Sequence, residues 1–402
     1  MTSNGSALAR LKELALVFLK LGILGFGGPA AHIAMMEEEV VARRGWLTRQ
    51  RFLDLLGATN LIPGPNSTEM AIHLGYVRAG WSGLAVAGIC FILPAVGLTA
   101  GLAWIYVHFG QLPQVAPWLL GIKPAVVAII AVSVWRLGNK ACKTWSLGAV
   151  GAAVLAASLL QVNEVAALLL GGVAGMLWLR IPQAVRSRRG KIVPVVAGAW
   201  LGQWLVKTTG VLLAALAGAG GAGGAASASL WKLGLFFLEV GAVLYGSGYV
   251  LVAFLQGGLV HEYGWLTQRQ LLDAIAIGQF TPGPVLSTAT FIGYLIAGAG
   301  GAAVATTAIF APSFLFVALV NPWVPRLRKS PWTAAFLDAV NVSAVALMAA
   351  VTVKLGQATL TDWPAWLIAA AATLIGLRWK VNLAWVVVGG GVLGWLLSLA
   401  TA

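Results

Sequence analysis

The chain has 402 residues, 59% of them hydrophobic and only 9% charged, with a mean hydropathy of +0.88. A soluble globular protein carries roughly a quarter charged residues, so these values exclude a soluble domain of any size and define a polytopic membrane protein. The net charge of +14 follows from basic residues gathering in cytoplasmic loops and points to no nucleic-acid partner.

The first apolar run breaks early, at Gly25, Phe26, Gly27, Gly28 and Pro29. It has no small-residue cleavage site and is expected to remain in the mature protein. After a basic loop at 43–51, the segment 52–78 is interrupted by "LIPGP". Apolar runs near 83–107, 115–136, 145–161, 164–180, 192–214, 302–322, 332–353, 363–377 and 381–399 then approach the roughly 20 residues that cross a bilayer. Cys90 and Cys142 have neither metal nor disulfide-framework spacing and are expected to pack.

The most informative feature is internal repetition. "FLKLGILGFGGP" from Phe18 aligns with "FLEVGAVLYGSG" from Phe237, and the same offset of 219 residues pairs "GWLT" at Gly45 with "GWLT" at Gly264 and one "PGP" with the other. After one deletion the offset is 218, pairing Gly75 with Gly293 and Pro94 with Pro312; it returns to 219 at the final span. The chain is therefore expected to comprise a repeat at 10–180, a second at 229–400, and between them, at 181–228, a basic loop, an unpaired span and a Gly/Ala-rich linker.

Charge sets their relative orientation. The loops at 43–51, 78, 136–143 and 180–191 are rich in Lys and Arg, whereas their second-half counterparts hold only Arg269 and Lys354. The alternate loops show the reverse bias. Under the positive-inside rule, corresponding loops lie on opposite sides of the membrane, so the repeats have inverted topology. The segments 14–42 and 52–78 must then each return to the side they left, as re-entrant hairpins of broken helices. The expected fold is all-α, with about thirteen membrane segments, the N-terminus cytoplasmic and the C-terminus outside.

The "PGP" motifs start helices. Pro63, Gly64 and Pro65 break one helix and open the next, with Asn66, Ser67 and Thr68 as caps and Glu69 placed for a capping box with Asn66. Pro282, Gly283 and Pro284 do the same in the second half. Two helix N-termini facing each other near the midplane would carry partial positive charge and N–H donors. Asn60, Gln279, Ser287 and Thr288 would add side-chain donors, a geometry suited to a tetrahedral oxyanion. A plain tight turn is the competing reading, and recurrence in both halves weighs against it. Glu69 reads as a capping residue; unless it titrates, it should point away from a bound anion.

Lys123 is a cation within an apolar span, where charges are rare and functional by default, although snorkelling to an interface remains open. Its repeat partner is Asn341. Lys20 pairs in the alignment with Glu239, either as an intramembrane ion pair or as two separate interfacial residues. The "GFGGP" residues, with Gly246 and Gly248 of "YGSG", permit hairpin turning. Arg78 is a basic loop residue with a gating role open to it. His32 and His73 are candidate proton carriers, although lone histidines are more often structural, and Glu37 to Glu39 read as a solvated or interfacial face. No catalytic, metal or nucleotide motif occurs, so neither an enzyme nor a cofactor is expected.

At "FLKLGILGFGGPAAHI", "EEEVVARRGWLT" and "NLIPGPNSTEMAIHLGY" the sequence resembles the chromate ion transporter family, two-domain bacterial proteins that confer chromate resistance by efflux. The second half departs from the pattern in having "YGSG" for "FGGP". The resemblance implies chromate export from the cytoplasm across the inner membrane, with sulfate as the structural analogue and a homodimer left open. A dianion leaving an inside-negative cell gains about 4.6 kcal/mol per 100 mV, so export can run on the potential or by anion exchange, through alternating access. The alternatives are a carrier of sulfate or another anion, or an anion channel.

Overall fold

A computed structural model describes residues 3–26, 28–59, 62–109, 116–160, 162–186, 229–245, 248–320, 330–379 and 383–401. Asn60, Gly27, Gly246 and the linking span at 192–214 lie outside the described residues. Those described form fourteen α-helices and short π and 3-10 segments, without strands.

The first half opens with two hairpins. α1 (Ser3–Leu24) turns into α2 (Pro29–Glu37), with Gly28 at φ 80° and Pro29 in the first helical turn, where its missing N–H costs nothing. A π segment, Glu38–Arg43, extends α2. α3 (Arg49–Thr59) and the start of α4 (Asn66–Phe109) form the second hairpin around Pro63-Gly64-Pro65. α4 is itself bent back. Ala79 and Gly80 leave the helical region, Gly80 at φ 64°, and a Cβ on Gly75 would lie 2.2 Å from the Gly83 carbonyl oxygen. Only glycines permit arms that close.

The second half reproduces this plan. α8 (Leu230–Val243), α9 (Leu251–Leu255) with its π extension Gln256–Glu262, α10 (Gln268–Phe280) and α11 (Thr288–Val320) follow in order. α11 reverses at Ala297 and Gly298, the latter at φ 61°, and a Cβ on Gly293 would lie 2.3 Å from the Gly301 carbonyl oxygen, as one on Gly75 would from that of Gly83.

The remaining helices interlock. In the first half they are α5 (Ala116–Ala141), α6 (Trp145–Leu159) and α7 (Glu164–Arg186); in the second, α12 (Pro331–Thr359), α13 (Trp363–Arg378) and α14 (Leu383–Thr401). α12 packs chiefly against α6 and α7, and α5 chiefly against α13 and α14. Each repeat thus lends its longest outer helix to the other. The equivalent helices α5 and α12 run antiparallel: Lys143, just beyond the end of α5, contacts Asp338 near the start of α12 at 2.7 Å, while Lys123 near the start of α5 shares a cavity with Ala358 and Thr359 at the end of α12.

Five helical stretches among the described residues are long and apolar enough to cross a membrane: α4, Gly121–Ala141 of α5, Glu164–Ile181 of α7, Val285–Leu319, and α12. Large apolar side chains such as Trp81, Trp145, Leu170, Leu315 and Trp385 face outward, as a lipid-facing surface requires. Cys90 packs beside the first-half core, whereas Cys142 is exposed rather than packed.

Candidate substrate site

The two Pro-Gly-Pro turns meet the opposite repeat. The Gly64 N–H donates to the Leu244 carbonyl at 2.6 Å, and the Gly283 N–H donates to the Gly25 carbonyl at 2.7 Å. Each turn is thereby tied to the tip of the other half's first hairpin. Positive φ at Gly64 (140°) and Gly283 (92°) aims these N–H groups, and such backbone is strained for any other residue. His32 Nε2 also bonds the Gly25 carbonyl, at 2.8 Å, which fixes the first tip and gives this histidine its structural place.

Helices start directly after both turns. The N–H groups of Thr68 and Glu69 reach the Pro65 carbonyl, and Ser287 N–H reaches that of Pro284. Proline, not Asn66, is therefore the residue that closes the first turn. Glu69 falls one position beyond that of a capping box, and its two carboxyl oxygens have no hydrogen-bond partner. Ser67, Thr68, Ser287 and Thr288 are all buried, as are both glycines. Gln279 and Asn66 are half-buried at the rims, beside Pro63 and the buried Pro282. The turns and helix starts are thus buried and rich in donors, each turn bonded to the other half.

The other candidates lie elsewhere. Lys123 lines a cavity of about 380 Å³ with Gln268, Arg269, Thr359, Thr361 and Asp362 at one end of the bundle; no Pro-Gly-Pro residue and no Asn341 borders it. Asn341, in α12, is half-buried. Lys123 is in electrostatic reach of Asp273, a buried carboxylate that accepts a 2.8 Å hydrogen bond from Tyr106. Asp273 is a residue the sequence reading missed; a carboxylate in "LLDAIAI" is as unusual in an apolar segment as Lys123. Ser313, which faces Gly64, was missed as well.

The first-half charges form one cluster. Lys20 pairs with Glu39 at 2.7 Å, not with Glu239; Arg43 and Arg44 also reach Glu39, and Arg44 and Arg78 hold Glu13 at 2.7 and 3.0 Å. Both arginines lie over the Trp46 ring, a cation–π arrangement. Glu39 is buried, where a solvated or interfacial face was expected for Glu37 to Glu39, because four basic groups converge on it and its neighbour Glu13. Burial pushes the Glu13 carboxyl up, but hydrogen bonds from Arg78 and Arg44 outweigh it and hold the group below its usual range. At the equivalent place in the second half Tyr263 stacks on Trp265, centroids 4.5 Å apart, so an aromatic contact replaces the ionic one. Glu239 is half-buried in α8.

An all-helical membrane protein of two interlocked, equivalent halves is the class this architecture defines. A family model described as Chromate transporter matches residues 12–176 and again 231–395, so the unit occurs twice, and the chain belongs to the chromate transporter family. It is 34% identical to the "Probable chromate transport protein" of Synechococcus elongatus, covering 92% of this chain and 91% of the relative. It is equally 34% identical to the "Chromate transport protein" of Cupriavidus metallidurans (96% and 92% covered), and 29% identical to that of Pseudomonas aeruginosa (94% and 90%). No solved structure matches it. The chain is an integral membrane transport protein.

Proposed function

We propose that this chain exports chromate from the cytoplasm by alternating access of two inverted repeats, residues 10–180 and 229–400, joined by the segment 181–228. The observation that carries the reading is the reciprocal tie of each Pro-Gly-Pro turn to the other repeat's hairpin tip. It supports a single anion site shared by both halves, with the N-termini of α4 and α11 supplying positive potential and N–H donors. The hydroxyls of Ser67, Thr68 and Ser287 complete the shell of donors for a tetrahedral dianion, with Thr288 beside them, its own hydroxyl donating to the Val285 carbonyl. Their burial supports an occluded carrier over an open pore.

The antiparallel run of α5 and α12, with the opposite charge bias of equivalent loops, supports the inversion; about thirteen membrane segments follow if each hairpin counts as two. On this reading the N-terminus is cytoplasmic and the C-terminus outside, in a bacterial inner membrane. The Lys123 cavity then faces outward, where its cation and Arg269 draw the leaving anion from the centre. The names of the relatives support chromate as cargo, and sulfate shares its shape and charge.

The test is uptake of chromate into inside-out vesicles bearing the protein, under an imposed potential and with sulfate as competitor. Saturable, potential-driven uptake supports the exporter. Absence of uptake under every gradient, with the protein folded, overturns it, and voltage-step currents of high unitary rate would replace the carrier with a channel.

A further inference from the structure

The two halves build the same turn with different chemistry. At the first, Glu69 Oε1 and Ser313 Oγ both press on Gly64, lying 2.2 and 2.7 Å from where a Cβ would stand. At the second, the residue 219 positions after Glu69 is Thr288, whose hydroxyl is satisfied by the Val285 carbonyl at 2.8 Å, and Ala95 faces Gly283 where Ser313 faces Gly64. The turn therefore needs neither a carboxyl group nor the facing hydroxyl to fold. Their presence at one turn alone calls for another reason.

The first turn also gathers a set of unsatisfied groups, where the second has Ser287 Oγ. Thr68 Oγ1, both carboxyl oxygens of Glu69, both ring nitrogens of His73 and Ser313 Oγ are buried without a hydrogen-bond partner. Glu69 and His73 are four residues apart and so share one helix face. From the second half the facing titratable side chain is Tyr245, next to the Leu244 carbonyl that holds Gly64. No ion pair reaches Glu69 among the described residues; Lys20 is engaged with Glu39 and Arg78 with Glu13. An ionised carboxylate with no cation and no donor is unfavourable in a dry interior, and beside a dianion it would be more so.

We propose that Glu69 is a proton-binding site linked to the anion site: the anion binds when Glu69 carries a proton, and the proton travels with it. When the centre opens, water reaches the pocket, the carboxyl O–H bond breaks, and the proton passes to water on that side, directly or through His73. The carboxylate left behind repels the dianion and favours its departure. Because binding linkage is reciprocal, the anion tightens the hold on the proton. A dianion with one proton moves a net single negative charge.

This rests on the reading of the Pro-Gly-Pro centre as the anion site, and its test separates the two. Purified protein is titrated with sulfate and with chromate at a series of pH values, as wild type and as Glu69→Gln, Glu69→Asp and Ser313→Ala. Sulfate does not titrate near neutral pH, so its binding reports the protein's proton. In the wild type the apparent affinity is expected to fall up to tenfold per unit as pH rises above the Glu69 titration; Glu69→Gln abolishes this slope, Glu69→Asp and Ser313→Ala keep it. In vesicles the wild type moves one net charge per anion. The same slope in Glu69→Gln as in the wild type, or two charges per anion, overturns the proton site and leaves the anion site standing. Binding of neither anion at any pH overturns the anion site itself.

Discussion

Gly64 donates its backbone N–H to the carbonyl of Leu244, and 219 residues further on Gly283 donates its own to Gly25, the residue equivalent to Leu244. A pair of contacts that exchanges residues in this way is the mark of a two-fold relation, as in an isologous interface. Here both partners are on one chain. Each broken helix is thereby bonded to the hairpin tip of the other half.

Alanine at either turn glycine is expected to impair folding and transport. Its backbone would sit at positive φ, and its Cβ would meet Glu69 and Ser313 at position 64 or Ala95 at 2.9 Å at position 283. Strain of this kind costs about 1–3 kcal/mol. Thermal unfolding in detergent should show a lower midpoint for both Gly64→Ala and Gly283→Ala, alongside reduced anion flux. A wild-type midpoint in either would mean that the turn is not held as described.

A second prediction concerns how closely the helices cross. A Cβ on Gly22 would lie 2.6 Å from the Phe91 carbonyl, and one on its equivalent, Gly241, 2.3 Å from that of Ile309, whereas a Cβ on Gly148 meets nothing within 4 Å. Backbone cannot yield as a side chain can, so overpacking here costs about 1–3 kcal/mol or more. Gly22→Leu and Gly241→Leu should fail to accumulate as folded protein in membranes, and Gly148→Leu should accumulate normally. Equal yields of all three, by fluorescence-detected gel filtration, would contradict the crossing.

Much of this fold was legible because each device that breaks a membrane helix has its own residue type. Gly28-Pro29, Pro63-Gly64-Pro65 and Pro282-Gly283-Pro284 mark turns that the structure contains, and the repeat, at its offset of 218 residues after the deletion, is carried through to matching backbone at Gly80 and Gly298. The exchange of α5 and α12 between halves was not legible, since periodicity says which face of a helix is apolar and nothing about which repeat covers it. The same blindness separates Lys123 from the Pro-Gly-Pro turns: both break the apolar pattern, yet one lies at the end of the bundle. Glu39 was misjudged as solvated or interfacial because Lys20, which pairs with it at 2.7 Å, comes from another element, α1.

Lys123 should therefore affect access more than binding at the centre. With Arg269 it gives the cavity at the end of the bundle its cations, and attraction across water of this kind is screened over about 8–10 Å at physiological salt. Lys123→Ala is expected to lower flux at low anion concentration severalfold at low ionic strength, with the difference shrinking as salt rises. Asn66→Ala with Ser67→Ala should instead raise the apparent KM at every salt concentration. Salt-independent loss in Lys123→Ala would place the lysine in the centre after all.

The final prediction follows from the ionic cluster around Glu13. Its carboxyl lies below the usual carboxylate range because Arg78 and Arg44 hold the charged form against the effect of burial. A group whose proton affinity is lower in the folded state adds stability that is present above the unfolded-state value and is lost as pH falls through the folded one. Glu13→Gln should therefore unfold more readily than the wild type at neutral pH, and the two midpoints should converge as the pH drops below the carboxylate range. Since Glu13 is one-third exposed, the gap should be small and should narrow in high salt. Lys232, which takes the place of Glu13 in the second half, has no arginine pair in the sequence to hold, so Lys232→Gln should show no such convergence. A gap between wild type and Glu13→Gln that persists undiminished in acid would mean that Arg44 and Arg78 are held by packing over Trp46 and not by the carboxylate between them.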